Sequence, residues 1–265
     1  MVRFIFDVDG TLTPSRRSID TEFQRFFLDF IYANQVYLVT GSDSDKTIEQ
    51  LGQDIFNQVA RVYNCNGNDT WERGVNTYTN EWIIPHNAKS WLTEKLEESS
   101  FPLRTGNHIE ERPGMVNFSI VGRNATMEER KLYVEYDQKD NERSLIAELF
   151  NKEFPTLQAT VGADTGFDIA PIWGGISTSC TISNMEWLHE LGKHTGFDIA
   201  PIGLDKSQIM KDFNKDDQIY FFGDMMEPGG NDYPLAIKVS DPIQVSDWKE
   251  TKEYLEKFQK SGIAI

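Results

Sequence analysis

The chain opens on an apolar, β-prone run, Val2-Arg3-Phe4-Ile5-Phe6, that stops at Asp7-Val8-Asp9-Gly10-Thr11. Such a run predicts a buried strand, and two acids two residues apart leave its carboxyl end on one face. Asp20 to Ala33 repeats phenylalanines at helical spacing, with Asp20 placed to cap the helix start. A second short apolar run, Val36 to Val39, ends at Thr40-Gly41-Ser42-Asp43, and helical spacing resumes from Ser44 through Ile48 and Leu51. Alternation of strand, polar turn and helix predicts a doubly wound α/β sheet, whose ligands lie at the carboxyl ends of the strands. Asn64 to Gly74, rich in Asn, Gly and Asp, reads as turns.

Near Trp82 the pattern changes. Pro85, helical spacing around Trp91 and the run from His108 through Val121 predict a separate α+β unit. The earlier pattern returns with Gln218 to Phe222, which runs into Gly223-Asp224 and on to Asp232. The expected division is a core of residues 1–81 and 203–265, split by an inserted α+β cap of residues 82–202. Inside that cap the octapeptide Thr-Gly-Phe-Asp-Ile-Ala-Pro-Ile occurs at Thr165 to Ile172 and again at Thr195 to Ile202. Excising thirty residues from any start within the first copy yields the same joined sequence. The segment near 165–202 therefore reads as an insertion flanked by a direct duplication, not as a repeat array. Asn184 to Lys193 within it has helical spacing, which leaves a packed extra helix and a flexible lid both open.

Composition narrows the partners. Of the 265 residues, 42 are Asp or Glu and 26 are Lys or Arg, a net charge of −16. That balance argues against nucleic acid or an anionic membrane as partner, so an anionic substrate must meet a local cationic site. Cys65 and Cys180 offer neither a disulfide framework nor a zinc pattern. The absence of a leader or an apolar run of spanning length leads to a cytoplasmic expectation. His86, His108, His189 and His194 are scattered and read as surface or capping residues.

The opening acids carry the chemistry. Two adjacent carboxylates repel unless a cation joins them, most simply Mg²⁺, which takes carboxylate and phosphate oxygens together. Asp7 then has the place of a nucleophile toward phosphorus and Asp9 that of a general acid and base. Gly10 leaves room for a ligand, and Thr11 offers a hydroxyl and an N–H to phosphate. Thr40 or Ser42 donates to the phosphoryl oxygens, and Lys206 neutralises the attacked phosphate. Asp224 completes a magnesium shell with Asp7 and the carbonyl of Asp9, with Asn231 and Asp232 nearby as supporting or loop-ordering groups. Taken singly, an Asp-x-Asp is an acidic turn and Lys206 a solvated lysine. Their order on predicted strand ends turns them into a phosphoryl-transfer site.

Several blocks resemble the haloacid dehalogenase superfamily and, within it, the eukaryotic-type phosphomannomutases. They are Phe6-Asp-Val-Asp-Gly-Thr-Leu-Thr13 with Arg16, Gly41-Ser42-Asp43 with Glu49-Gln50-Leu51-Gly52, and Ile109-Glu-Glu-Arg-Pro-Gly-Met115 with Asn117. Val121-Gly-Arg123 with Glu128-Glu-Arg130, and Tyr220-Phe-Phe-Gly-Asp224 with Pro228-Gly-Gly-Asn-Asp232, complete them. The resemblance implies interconversion of mannose 6-phosphate and mannose 1-phosphate, a step in GDP-mannose precursor supply, with Mg²⁺ and a hexose 1,6-bisphosphate activator. It places Arg112, Arg123 and Arg130 in a cap clamp for the second phosphate, with Arg16 from the core side, where bidentate guanidinium suits phosphate. It also sets Asn117 and either Asp168 or Asp198 on the sugar hydroxyls, and implies a homodimer through the cap. Thr40 in place of the family's usual glycine, and Gly166 or Gly196 in place of a serine, depart from the pattern. The rivals are a sugar-phosphate phosphatase on the same scaffold, favoured by Thr40, and a binding protein without turnover, against which the intact Asp7, Asp9, Lys206 and Asp224 argue.

Overall fold

The computed structural model describes residues 1–15, 17–161, 196–201, 204–228 and 230–260, with backbone alone for residues 160 and 196–201. They fall into two units: Met1–Ile83 with Arg112–Met115 and Leu204–Ile265, and Ile84–Glu111 with Val116–Gly203.

In the first unit, β1 (Val2–Phe6) buries Phe4, Ile5 and Phe6 completely, as a strand covered on both faces requires. The following helix, α1 (Thr21–Ala33), starts where the Asp20 carboxylate accepts the N–H groups of Glu22 and Phe23, each at 3.0 Å. Its phenylalanines cover the strand: Phe30 meets Phe4 edge-on with ring centres 5.0 Å apart, and Phe27 meets Phe6 at 5.2 Å. Next come β2 (Val36–Val39), α2 (Ser44–Leu51), α3 (Gln53–Gln58), β3 (Arg61–Asn64), β4 (Asp69–Glu72) and β5 (Val75–Thr79). The turn reading of Asn64 to Gly74 holds only in part. Cys65 to Gly67 make a tight turn, but Asp69–Glu72 is a strand, antiparallel to both β3 and β5. Polar composition hid it because Asp69 is buried among side-chain partners: Trp71 Nε1 donates to it at 2.8 Å and Asn76 Nδ2 at 2.7 Å.

The second unit contains α4 (His86–Glu98), β6 (Ile109–Arg112), β7 (Met115–Ser119), α5 (Met127–Asp140), α6 (Glu142–Glu153), β8 (Leu157–Val161) and β9 (Gly196–Pro201). The four strands run β6-β7-β9-β8, with the shared residues Arg112 and Met115 grouped in the first unit. Strand β9 is antiparallel to both its neighbours, and its Asp198 stands opposite Asn117 and Thr160 in register. Helix α5 begins with a capping box between Thr126 and Glu129. The turn into α6 is pinned by Arg143, 1% exposed, whose Nε donates to Asp137 at 2.8 Å.

The chain completes the first unit with a 3₁₀ segment (Lys206–Asp212), β10 (Gln218–Gly223), α7 (Tyr233–Ala236), β11 (Asp241–Gln244) and α8 (Trp248–Lys260). The seven-stranded order is β11-β10-β1-β2-β3-β4-β5, parallel from β11 through β3. This is the expected doubly wound α/β sheet, extended by an antiparallel pair at one edge. Phe6 aligns with both Leu38 and Phe222, so the residues leaving β1, β2 and β10 line up along one edge.

Strand β9 belongs to the second copy of the octapeptide; the first copy and Asn184 to Lys193 lie outside the described residues. Deleting residues 173–202 joins an identical octapeptide to Gly203, and connection length costs little free energy. The shortened protein is expected to unfold cooperatively, with a midpoint within about 4 °C of the parent, about 1 kcal/mol at this size. Thermal denaturation followed by circular dichroism checks this, and an insoluble or non-cooperative product would place the deleted residues in a core.

Candidate active site

Asp7 leaves β1 with its N–H donated to the Phe222 carbonyl at 2.9 Å, which ties it to β10. Lys206 reaches the same point from a segment capped by Asp205, whose carboxylate accepts the Ser207 N–H at 2.7 Å. Gln208 anchors that segment through a 2.8 Å bond to the Asn66 carbonyl. The Lys206 ammonium donates to Asp7 Oδ1 at 2.5 Å and to Asp232 Oδ1 at 2.7 Å, and its side chain is 1% exposed. The other Asp232 oxygen accepts the Met225 N–H at 3.1 Å. Asp224 completes the group: one oxygen from each of Asp7, Asp224 and Asp232 lies within 4.8 Å of the others.

Two glycines leave the volume these acids occupy. A Cβ on Gly10 would fall 2.2 Å from an Asp224 oxygen, and one on Gly223 would fall 2.6 Å from an Asp232 oxygen. The expectation that Gly10 makes room for a ligand is therefore revised, since the room is taken by Asp224. Gly10 also has φ +82°, a conformation that disfavours a side chain in any case.

Three carboxylates gathered about one ammonium carry two more negative charges than positive. Burial pushes Asp7 up to about 7, against the pull of Lys206 and with Asp232 and Asp9 adding to the rise. Burial, then the charges on Asp7 and Asp232, push Asp224 up to about 9. Burial alone would depress the Lys206 ammonium, but Asp232 and Asp7 outweigh it and hold its pKa above the ordinary value. Hard oxygen donors with this charge excess fit a divalent cation. One oxygen from each of Asp7, Asp224 and Asp232 is near enough to the others to hold one, although both Asp232 oxygens already accept hydrogen bonds. Asn231 Oδ1, buried and with no partner among the described residues, is a further oxygen in the same loop.

Asp9 sits beside this group, and its Oδ1 accepts from Gln50 Nε2 at 2.9 Å. Sequence assigns Gln50 no role, because the contact spans 41 positions and no local spacing announces it. Thr11 is placed differently from the expectation: it is fully buried, its carbonyl accepts the Thr251 hydroxyl at 2.7 Å, and its N–H turns back to Val8. Thr40, at the end of β2, accepts the Ser42 N–H on its hydroxyl oxygen at 3.1 Å. Arg112 Nη1 donates to the Gly41 carbonyl in the same unit at 3.3 Å.

In the second unit, Asn117 is a buried residue of β7. Arg123 Nε lies 3.0 Å from the Glu110 carboxylate. Arg130, 4% exposed, donates from Nε to the Ala125 carbonyl at 3.0 Å and from Nη2 to the Arg123 carbonyl. Burial, and then the like charge of Arg123, hold its pKa below the ordinary value. Arg16 and Asp168 lie outside the described residues, and Asp198 is described only as a backbone position of β9. His86 is exposed at the start of α4, His108 Nδ1 lies 2.9 Å from the Ser119 carbonyl, and His189 and His194 lie outside the described residues.

The fold is that of haloacid dehalogenase-like α/β proteins. A haloacid dehalogenase-like hydrolase from Bacteroides thetaiotaomicron shares the fold, with a TM-score of 0.55 at 12% identity over 97% of this chain and 99% of that one. Sequence is more particular, and the chain belongs to the eukaryotic phosphomannomutase family, whose profile matches residues 23–181 and 179–257. A phosphomannomutase of Saccharomyces cerevisiae is 30% identical over 249 residues, 88% of this chain and 84% of that protein. One from Drosophila melanogaster is 31% identical over 256 residues, 92% and 89% of the two chains.

Because Asp7 and Asp224 titrate above the ordinary carboxylate value of about 4, the folded metal-free protein binds more protons than the unfolded chain between that value and about 9. Its stability is expected to fall as pH rises through this window. Added Mg²⁺ is expected to raise the melting temperature more at pH 8 than at pH 6, with proton release on binding. Melting curves with and without Mg²⁺, and calorimetry in two buffers, check this; a larger Mg²⁺ effect at pH 6 contradicts it.

Proposed function

We propose that this chain is a phosphomannomutase, interconverting mannose 6-phosphate and mannose 1-phosphate through a phosphoryl group carried on Asp7. The observation that carries the reading is the buried meeting of Asp7, Lys206, Asp224 and Asp232 in a chain of this family. A carboxylate with one oxygen tied to an ammonium presents the other as nucleophile. Asp7 attacks phosphorus in a hexose 1,6-bisphosphate, the bond from phosphorus to the sugar oxygen breaks, and Asp9 gives its proton to that oxygen. A monophosphate in the reversed orientation then loses a hydroxyl proton to Asp9 and takes the phosphoryl group from Asp7. Lys206 offsets charge on the transferring oxygens, and Thr40 or Ser42 donates to them. Asp7, Asp224 and the Asp9 carbonyl, with Asn231 and Asp232 in support, would hold Mg²⁺, which would supply further positive charge at the transferring oxygens.

The bisphosphate is both primer and activator in this reading. Residues 82–202 act as the cap, where Arg112, Arg123 and Arg130, with Arg16, hold the phosphate that does not react. Asn117 and Asp168 or Asp198 take the sugar hydroxyls. The proximity of Arg123 to the buried Arg130 supports the clamp. The family resemblance supports a homodimer through the cap. The reading places the protein in the cytoplasm; among the described residues no helix is long and apolar enough to cross a membrane. The second reading is a sugar-phosphate phosphatase, which Thr40 favours.

Isomerisation of mannose 1-phosphate, followed with and without hexose 1,6-bisphosphate and alongside phosphate release, separates the two. Bisphosphate-dependent isomerisation is expected, and phosphate release alone would retire the mutase. Arg123→Ala is expected to lower kcat/KM for isomerisation about 10- to 100-fold, the worth of a charged hydrogen-bonded contact. Hydrolysis of a small aryl phosphate should hardly change; equal losses in both would make Arg123 structural.

A further inference from the structure

Gln50 lies on the last turn of α2, 2% exposed, and its amide points into the turn that follows β1. Its Nε2 donates to Asp9 Oδ1 at 2.9 Å and to Thr13 Oγ1 at 3.3 Å, while Thr13 Oγ1 donates to the Val8 carbonyl at 3.3 Å. The amide thus joins the residues on either side of Gly10, whose φ is +82°. Gln50 itself has little freedom. Its carbonyl accepts the Ile19 N–H at 2.8 Å, the Glu49 carbonyl accepts the Ser18 hydroxyl at 3.4 Å, and the Leu51 carbonyl accepts Gln24 Nε2 at 3.0 Å. The end of α2 is therefore stitched to the chain that leaves the turn.

The other end of the amide is the second observation. Gln50 Oε1 is buried and has no partner among the described residues. An unsatisfied buried carbonyl weakens a fold, and a nonpolar side chain of the same length would avoid that cost. Packing therefore gives no reason for a glutamine here; the N–H directed at Asp9 does. Turned the other way, the amide would set its oxygen against a carboxylate oxygen.

We propose that Gln50 is a positioning residue for Asp9, holding the carboxylate where it can pass a proton to and from the sugar oxygen. This rests on the reading of Asp9 as acid and base. The role predicts dependence on the leaving group. Release of a sugar hydroxyl needs a proton from Asp9 as the bond to phosphorus breaks, whereas p-nitrophenolate leaves unprotonated.

The test compares Gln50→Met, nearly the same length but without a donor, and Asp9→Asn with the parent protein, all in Mg²⁺. Gln50→Met is expected to lower kcat for isomerisation about tenfold to a hundredfold, part of the usual worth of general acid and base catalysis. KM for mannose 1-phosphate should stay within about twofold, since the amide is assigned no substrate contact. The melting temperature should change little, because the unsatisfied carbonyl is removed together with the two hydrogen bonds the amide donates. The first-turnover burst of p-nitrophenolate from p-nitrophenyl phosphate, which reports phosphorylation of Asp7 alone, should keep its rate in Gln50→Met, and Asp9→Asn should slow it less than it slows isomerisation. If Asp9→Asn slows the burst as much as isomerisation, the acid and base reading of Asp9 fails, and the proposal with it. If Asp9→Asn discriminates between leaving groups but Gln50→Met does not, or retains the parent kcat, the positioning role is overturned on its own.

Discussion

The Lys206 ammonium, shared between Asp7 and Asp232 in a space closed to water, is the constraint around which the first unit is arranged. Taking such charges out of water is costly, and the cost is recovered only when geometry and further hydrogen bonds are good. Both requirements are met by parts of the chain far apart in sequence. The two acids arrive from the ends of β1 and from the loop after β10, which the parallel pairing of those strands brings side by side. The lysine arrives on a short segment capped by Asp205 and anchored on Asn66. Removing one member of such a buried set typically costs about 3–5 kcal/mol, because the partner charge is left uncompensated. Stability and chemistry are therefore not separable at this point.

Where a local pattern carries the information, the sequence is legible. The first strand, the Asp20 cap, the run from Val36 to Val39 and the helix from Ser44 stand where periodicity and capping chemistry place them. Asp7, Asp224 and Asp232, with Lys206, meet because each lies just past or near a strand end. The signal fails where a residue is determined by a partner from elsewhere in the chain. Asp69 looks like a turn residue until its tryptophan and asparagine donors are seen, and Gln50 reads as an ordinary helix position until Asp9 lies against it. Thr11, next to the acids, is fully buried, and α8 supplies Thr251 to its carbonyl, a contact no local spacing announces.

Likeness to solved structures and likeness to family members answer different questions. At 12% identity the shared fold extends to a hydrolase, so the α/β sheet and its carboxylate edge do not by themselves distinguish transfer to a sugar from transfer to water. Family membership rests on sequence that runs through both units. In the second unit Arg123 lies close enough to the buried Arg130 to lower its pKa. Its β9 is built from a segment that the sequence contains twice, yet Asp198 still stands opposite Asn117.

Gly10 and Gly223 matter for how changes in such a chain are interpreted. At each, the volume of a single methyl group is already filled by an acid, Asp224 from a distant loop at Gly10 and Asp232 from the loop that follows β10 at Gly223. A variant carrying alanine there would keep every ionisable residue in its sequence and still behave as though an acid had been lost, because the carboxylate would be evicted from its seat. A survey that scores only the charged positions would pass such a variant as intact.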